Sequence, residues 1–79
     1  MENMLTVKAT WDNEANVWVA ESEDVPGLIT EADTMEQLIT RLHTLIPELL
    51  EENGILSQLE NKTIPFHLYS EREETVQFG

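Results

Sequence analysis

The side chains with chemistry to offer are mostly carboxylates. The chain carries 16 acidic residues against 4 basic ones, a formal net charge of −12, so acids falling near one another do not by themselves mark an active site. Glu21, Glu23 and Asp24 form the tightest group, where a strand gives way to a turn. Acid–base catalysis would need two of them in a cleft with separated pKa values, and solvated acids are the ordinary content of such a place. Asp12-x-Glu14-x-Asn16, with Glu23 at the twelfth position, has the outline of a calcium loop. The sixth position, which that loop needs as glycine, is Val17 at the start of a strand, so the backbone cannot wrap an ion there. His43 and His67 form no H-x-x-x-H pair; one sits beside an apolar helical stripe, the other on the polar side of a strand. There is no cysteine, hence no thiolate ligand, nucleophilic sulfur or disulfide. Glycines at 27, 54 and 79 are too scattered to cradle a phosphate, and no G-x-S-x-G elbow is present. The expectation is a chain without catalytic residues, metal or cofactor.

Trp11, Trp18, Phe66 and Tyr69 could stack nucleic-acid bases, but stacking platforms sit in positive surroundings. Here the charge is opposite and unevenly spread. Between Lys8 and Arg41 lie Asp12, Glu14, Glu21, Glu23, Asp24, Glu31, Asp33 and Glu36, with no Lys or Arg among them. Such a surface repels nucleic acid and anionic lipid. It attracts a basic partner, or serves only to keep the chain dissolved. A core role is expected for at least Trp11 or Trp18; an exposed aromatic would instead anchor a protein interface. The start, Met1-Glu2-Asn3-Met4, lacks the features of a secretory signal, and no apolar stretch approaches the ~18 residues of a membrane span. A soluble, cytoplasmic protein is expected. Its 79 residues build one core, and domains this small often gain stability by self-association.

These side chains must be positioned by a short list of elements. Met4 to Trp11 alternates, with Leu5, Val7, Ala9 and Trp11 on one side, as in a half-buried strand. Asp12 to Asn16 is turn-forming, and Val17 to Ser22 completes a hairpin. Glu23-Asp24-Val25-Pro26-Gly27 supplies a type II turn, Pro26 fixing its own φ and Gly27 free to take φ > 0. Leu28-Ile29-Thr30 is a short third strand. Asp33 opens a helix with Glu36 in a capping box, or Thr34 with Gln37 does so one residue later. Met35, Leu38, Ile39, Leu42, Leu45, Ile46, Leu49 and Leu50 form one apolar stripe that must pack on the sheet. Pro47 inside the stripe predicts a kink, and Asn53-Gly54 the helix end. Ile55 to Lys62 is a connection. Thr63 to Ser70 is a further strand, which Pro65 places at an edge. The tail from Glu71 to Gly79 is either mobile or a short extra strand. The result is an α+β domain, β-β-β-α-β, spanning residues 1–79 with its core in about 4–70.

The run Val17-Trp18-Val19-Ala20-Glu21-Ser22-Glu23-Asp24-Val25-Pro26-Gly27-Leu28, followed by Thr30-Glu31-Ala32-Asp33-Thr34-Met35-Glu36-Gln37-Leu38, resembles the HicB-like antitoxin family. Its hallmark is a strand, then D-[LV]-P-G, a short strand and a D-T-x-E-type helix start. Trp11-Asp12, Val17-Trp18-Val19-Ala20 and Leu45-Ile46-Pro47-Glu48-Leu49-Leu50-Glu51 are similar to a short, uncharacterised branch without a DNA-binding segment. The resemblance covers about residues 4 to 70. It implies a degenerate ribonuclease-H-like fold, with an antiparallel sheet and one long helix packed on it, and no nuclease activity. The strand from Leu5 to Trp11 independently contains no carboxylate to hold a magnesium ion. Better-known members mask a small basic RNA-cleaving toxin, and many carry a promoter-binding segment, which this chain lacks through Gly79. The resemblance therefore implies a non-catalytic module masking a basic toxin. Glu21, Glu23, Asp24 and Glu31, which flank the motif turn Pro26-Gly27, are the candidate partner contacts, with solvated surface acids as the alternative reading. Two rivals stand beside it: a homo-oligomer joined through strand edges and aromatics, in an unrelated role, and a residual metal-dependent hydrolase.

Overall fold

The alternation of Leu5, Val7, Ala9 and Trp11 becomes strand β1 (Leu5–Asp12) in a computed structural model that describes residues 4–54 and 63–79. β2 (Val17–Glu21) and β3 (Ile29–Ala32) follow, then helix α1 (Met35–Glu52) and β4 (Phe66–Glu71). The fold is α+β, in the expected order. Ile55 to Lys62, read from sequence as a connection, lies outside the described residues.

The four strands make one sheet in the order β3-β2-β1-β4. β1 pairs antiparallel with β2, and β2 antiparallel with β3, but β4 runs parallel to β1. The sheet is therefore mixed, which corrects the antiparallel expectation. An 18-residue helix is about 27 Å long and carries the chain back over the full sheet. The strand after it starts at the end where β3 started, and so parallels β3 and β1. Pro65 directly precedes β4, which lies at an edge.

Apolar parity decides what the helix covers. Val7, Ala9, Ala20 and Ala32 from the sheet meet Leu38, Leu42, Ile46 and Leu50 from α1, with Val25 and Leu28 closing one end. No polar side chain is buried with them among the described residues. The small alanines let the helix approach closely, and the leucines fill the space. Trp11 and Trp18 stay half-buried, their rings edge-on at 5.3 Å.

The helix cap is Thr34, whose Oγ1 accepts from the Gln37 amide at 3.1 Å. This corrects the first-named alternative, Asp33 with Glu36. α1 runs unbroken past Pro47 to Asn53, and Gly54 takes φ +74° just beyond it. The tail leaves the sheet after Glu71. Residues 72–79 are exposed and join no strand.

Candidate functional site

The motif that stands out in the sequence is a device for closing the core. Val25 and Leu28 are buried. Between them Pro26 and Gly27 form the type II turn, with the Leu28 amide donating to the Val25 carbonyl at 3.1 Å and Gly27 at φ +86°. Asn53 Nδ2 donates to the Pro26 and Leu49 carbonyls at 3.4 and 2.7 Å, which ties the turn to the end of α1. Ser22 Oγ donates to the Thr6 carbonyl at 2.6 Å and accepts from the Asp24 and Val25 amides. The Asp24 carboxylate accepts from the Thr6 amide at 2.8 Å. Asp24, Pro26 and Gly27 thus stitch the loop to β1 and α1. Their types and order are dictated by backbone hydrogen bonds and a positive φ.

Asp12 is occupied in the same way. Its carboxylate accepts from the Glu14 and Ala15 amides, and its carbonyl from Asn16, which stands at φ +59°. The calcium-like spacing is that of a hairpin turn built by an Asx interaction.

The remaining predicted residues fall on the sheet face away from α1. Cross-strand register places Lys8 beside Glu21 and Thr10 beside Val19. It sets Val19 and Glu21 beside Glu31 and Ile29, and Thr6, Lys8 and Thr10 beside His67, Tyr69 and Glu71. Glu21 and Glu31 are therefore on one surface, and Glu23 lies at its end. There Thr6, Lys8, Glu21, Glu23 and Asp24 line an open concavity of about 420 Å³. Glu23 and Glu31 are exposed and have no ion-pair partner among the described residues.

This face also holds Ile29, which the sequence reading did not single out as a site residue, and Tyr69, which that reading made an interface anchor if exposed. Ile29 is 70% exposed and Tyr69 57% exposed, with His67 stacked on Tyr69 at 5.9 Å. The parity of β3 and β4 was visible in sequence, but the strand order that brings them beside β1 and β2 was not. The single ammonium group of the face among the described residues, Lys8, lies 3.0 Å from Glu71. Hydrogen bonding and attraction to Glu71 hold Lys8 above the ordinary lysine value, and Glu21 adds a little in the same direction against the opposing desolvation. Lys8 thus sits between Glu71, its ion-pair partner, and Glu21 across the ladder, with Glu31 farther along the same face. No group of three or more His, Asp or Glu side chains among the described residues is placed to hold a metal ion. His43 packs its ring edge against Phe66 on the other side of the sheet.

The family model described as a domain of unknown function, DUF1902, matches residues 4–78. The chain belongs to this family. The DUF1902 chain is also similar to a solved crystal structure, that of hypothetical protein TTHA1013 from the extremely thermophilic bacterium Thermus thermophilus. The identity is 49% over 95% of this chain and 99% of that one, with a TM-score of 0.68. No curated protein matches. No helix among the described residues is long and apolar enough to cross a membrane.

Proposed function

We propose that this DUF1902 chain is a non-catalytic protein-interaction module whose uncovered sheet face receives a basic protein in the cytoplasm. The observation that carries the reading is the face itself. It is acidic, edged with exposed Ile29 and Tyr69, and its one ammonium among the described residues is already engaged by Glu71. A mixed face of this kind gives long-range attraction from the acids and desolvated anchoring from the side chains between them. The HicB-like resemblance supports a more specific partner, a small basic RNA-cleaving toxin whose substrate-binding surface the acids would cover. Glu21, Glu23 and Glu31 are the contacting acids in this reading. Asp24, Pro26 and Gly27 act at one remove, by holding the loop that presents Glu23.

A native pull-down of the tagged chain from its own cells, at low and high salt, tests this. The expected result is a small basic protein retained at low salt and released at high salt. Its RNA cleavage is inhibited by the chain, and Glu21→Lys with Glu31→Lys weakens the complex by about tenfold or more. A neighbouring basic protein that ignores the chain, or binds the charge-reversed variant equally well, would overturn the reading. The rival hydrolase predicts heat on titration with magnesium or manganese; the interaction module predicts none.

A further inference from the structure

Beyond β4 the chain has apolar side chains with nowhere to go on their own molecule. Residues 72–78 run without a turn or bend and with negative φ throughout. Val76 is 83% exposed and Phe78 98% exposed. Arg72 lies over the Trp11 ring at 4.3 Å, and past it the segment is exposed throughout. Among the described residues the outer edge of β4 has no strand beside it. Reaching that edge in its own molecule would need a reversal, and Arg72-Glu73-Glu74-Thr75-Val76-Gln77-Phe78 contains no Gly, Pro, Asn or Asp to favour one.

We infer that residues 72–79 are an arm that pairs antiparallel with the free edge of β4 in a second copy of this chain, in a two-fold exchange centred near Arg72. Symmetry about Arg72 sets Phe78 of one copy opposite Phe66 of the other, Val76 opposite Leu68, and Glu74 opposite Ser70. Directly opposed residues in an antiparallel pair share a face. Phe66 and Leu68 face the helix layer, packed on the core, so Val76 and Phe78 arrive on that same side. The Arg72-centred register opposes Arg72 to itself and Glu71 to Glu73, like charges at solvent-exposed positions that water and salt screen. What favours it is its apolar pairs, since centring on Glu71 would set the carboxylate of Glu74 against the core-packed Leu68. A one-residue slip would send Val76 and Phe78 to the wrong face.

A second observation meets the arm where it lands. At the start of β4, on the helix side, Leu42, His43, Ile46, Pro47, Ile64 and Phe66 line a recess of about 130 Å³. Apolar cavities of roughly 150 Å³ accommodate benzene, so the recess suits the Phe78 ring. The two edges of the sheet also differ. β3 is four residues long and bears Glu31, whereas the first five residues of six-residue β4 include no Asp, Glu, Lys or Arg. An unpaired edge without them invites another strand. About fourteen residues per copy, 66–79, line the paired ribbons, below the ~20–30 of a standard interface, so the dimer dissociates at micromolar concentrations. This inference is independent of what the open sheet face binds.

Sedimentation velocity of the full chain over a micromolar concentration series tests it. The expected result is a reversible dimer that Val76→Asp with Phe78→Asp converts to a monomer of unchanged circular dichroism. The chain has no cysteine, which allows a register test. Opposed Cα atoms in an antiparallel pair are ~4.5–5.5 Å apart, within the ~4.4–6.8 Å that a disulfide spans. Arg72→Cys therefore cross-links two copies on mild oxidation, whereas Thr75→Cys, its mates about 20 Å apart at ~3.3 Å per residue, does not. A strict monomer throughout, a dimer indifferent to the two aspartates, or equal cross-linking at 72 and 75 overturns the arm exchange.

Discussion

On the helix side of the sheet, Val7, Ala9, Ala20 and Ala32 lie under four helical residues that are at most 2% exposed. On the other side, Lys8, Thr10, Glu21, Glu31 and Ile29 are exposed and Val19 is half-buried, and no described element is packed over them. Both faces come from the same strands, one residue out of phase. The covered face excludes charge because burying an unpaired carboxylate would cost more than so small a domain has to give. The open face concentrates charge that folding does not need. Side chains that hold the fold and side chains free to meet a partner are therefore separated by parity, and substitutions on the two faces should report different things.

The sharpest division is expected from core truncation. Leu42 is fully buried between α1 and the sheet, and Leu42→Ala should cost about 2–5 kcal/mol. A domain of this length holds roughly 4–12 kcal/mol in total, so the variant is expected largely or wholly to lose its cooperative urea transition. Ile29→Ala, which removes an apolar side chain from the open face, should change the unfolding free energy by no more than about 0.5 kcal/mol while weakening partner binding. Comparable losses at the two positions would mean that the open face is covered in solution.

The motif loop divides on a smaller scale. Gly27 stands at φ +86°, where an L side chain costs about 1–2 kcal/mol. An added Cβ would meet Leu49 Cδ2 at an ordinary 3.6 Å, so the backbone angle sets the cost and not a clash. Gly27→Ala should therefore destabilise by that amount, and Gly27→Asn by less, because Asn enters this region more easily. Glu23→Gln, in the same loop, should leave urea stability within about 0.5 kcal/mol and affect only binding. If alanine and asparagine cost the same, the turn is not holding its left-handed residue for the reason given.

Local chemistry made much of this legible. Alternation placed the strand faces, Pro26-Gly27 announced the type II turn, and the leucine stripe of α1 marked the core. The parallel pairing of β4 with β1 was not legible, because it depends on where an 18-residue helix deposits the chain after crossing the sheet. The acids were visible as an unbroken stretch, but the sequence could not sort them. Asp12 and Asp24 are taken up by backbone amides, and Glu21 and Glu31 become neighbours on a surface only through register. The Thr34 cap shows the same limit one residue at a time, since Asp33 and Thr34 each offered an oxygen and the backbone geometry chose between them.

The smallest expected effect lies on the open face, in the pair Lys8–Glu71. Both side chains are more than half exposed, so solvent and salt screen the attraction. Lys8 is raised above its ordinary value of 10.5 by Glu71. A raised lysine stabilises the folded chain fully at pH values below the ordinary value, and that contribution disappears as pH climbs through the raised one. Single substitutions would mix this term with relief or increase of repulsion in a chain of net charge −12. A double-mutant cycle with Lys8→Gln and Glu71→Gln removes that background. The coupling measured by urea unfolding should be small and favourable at neutral pH and low salt. It should shrink on adding salt, and shrink again in alkaline solution once Lys8 loses its proton. A coupling that survived both treatments would show the pair to be desolvated, and the open face to be covered by a neighbour under the conditions of the experiment.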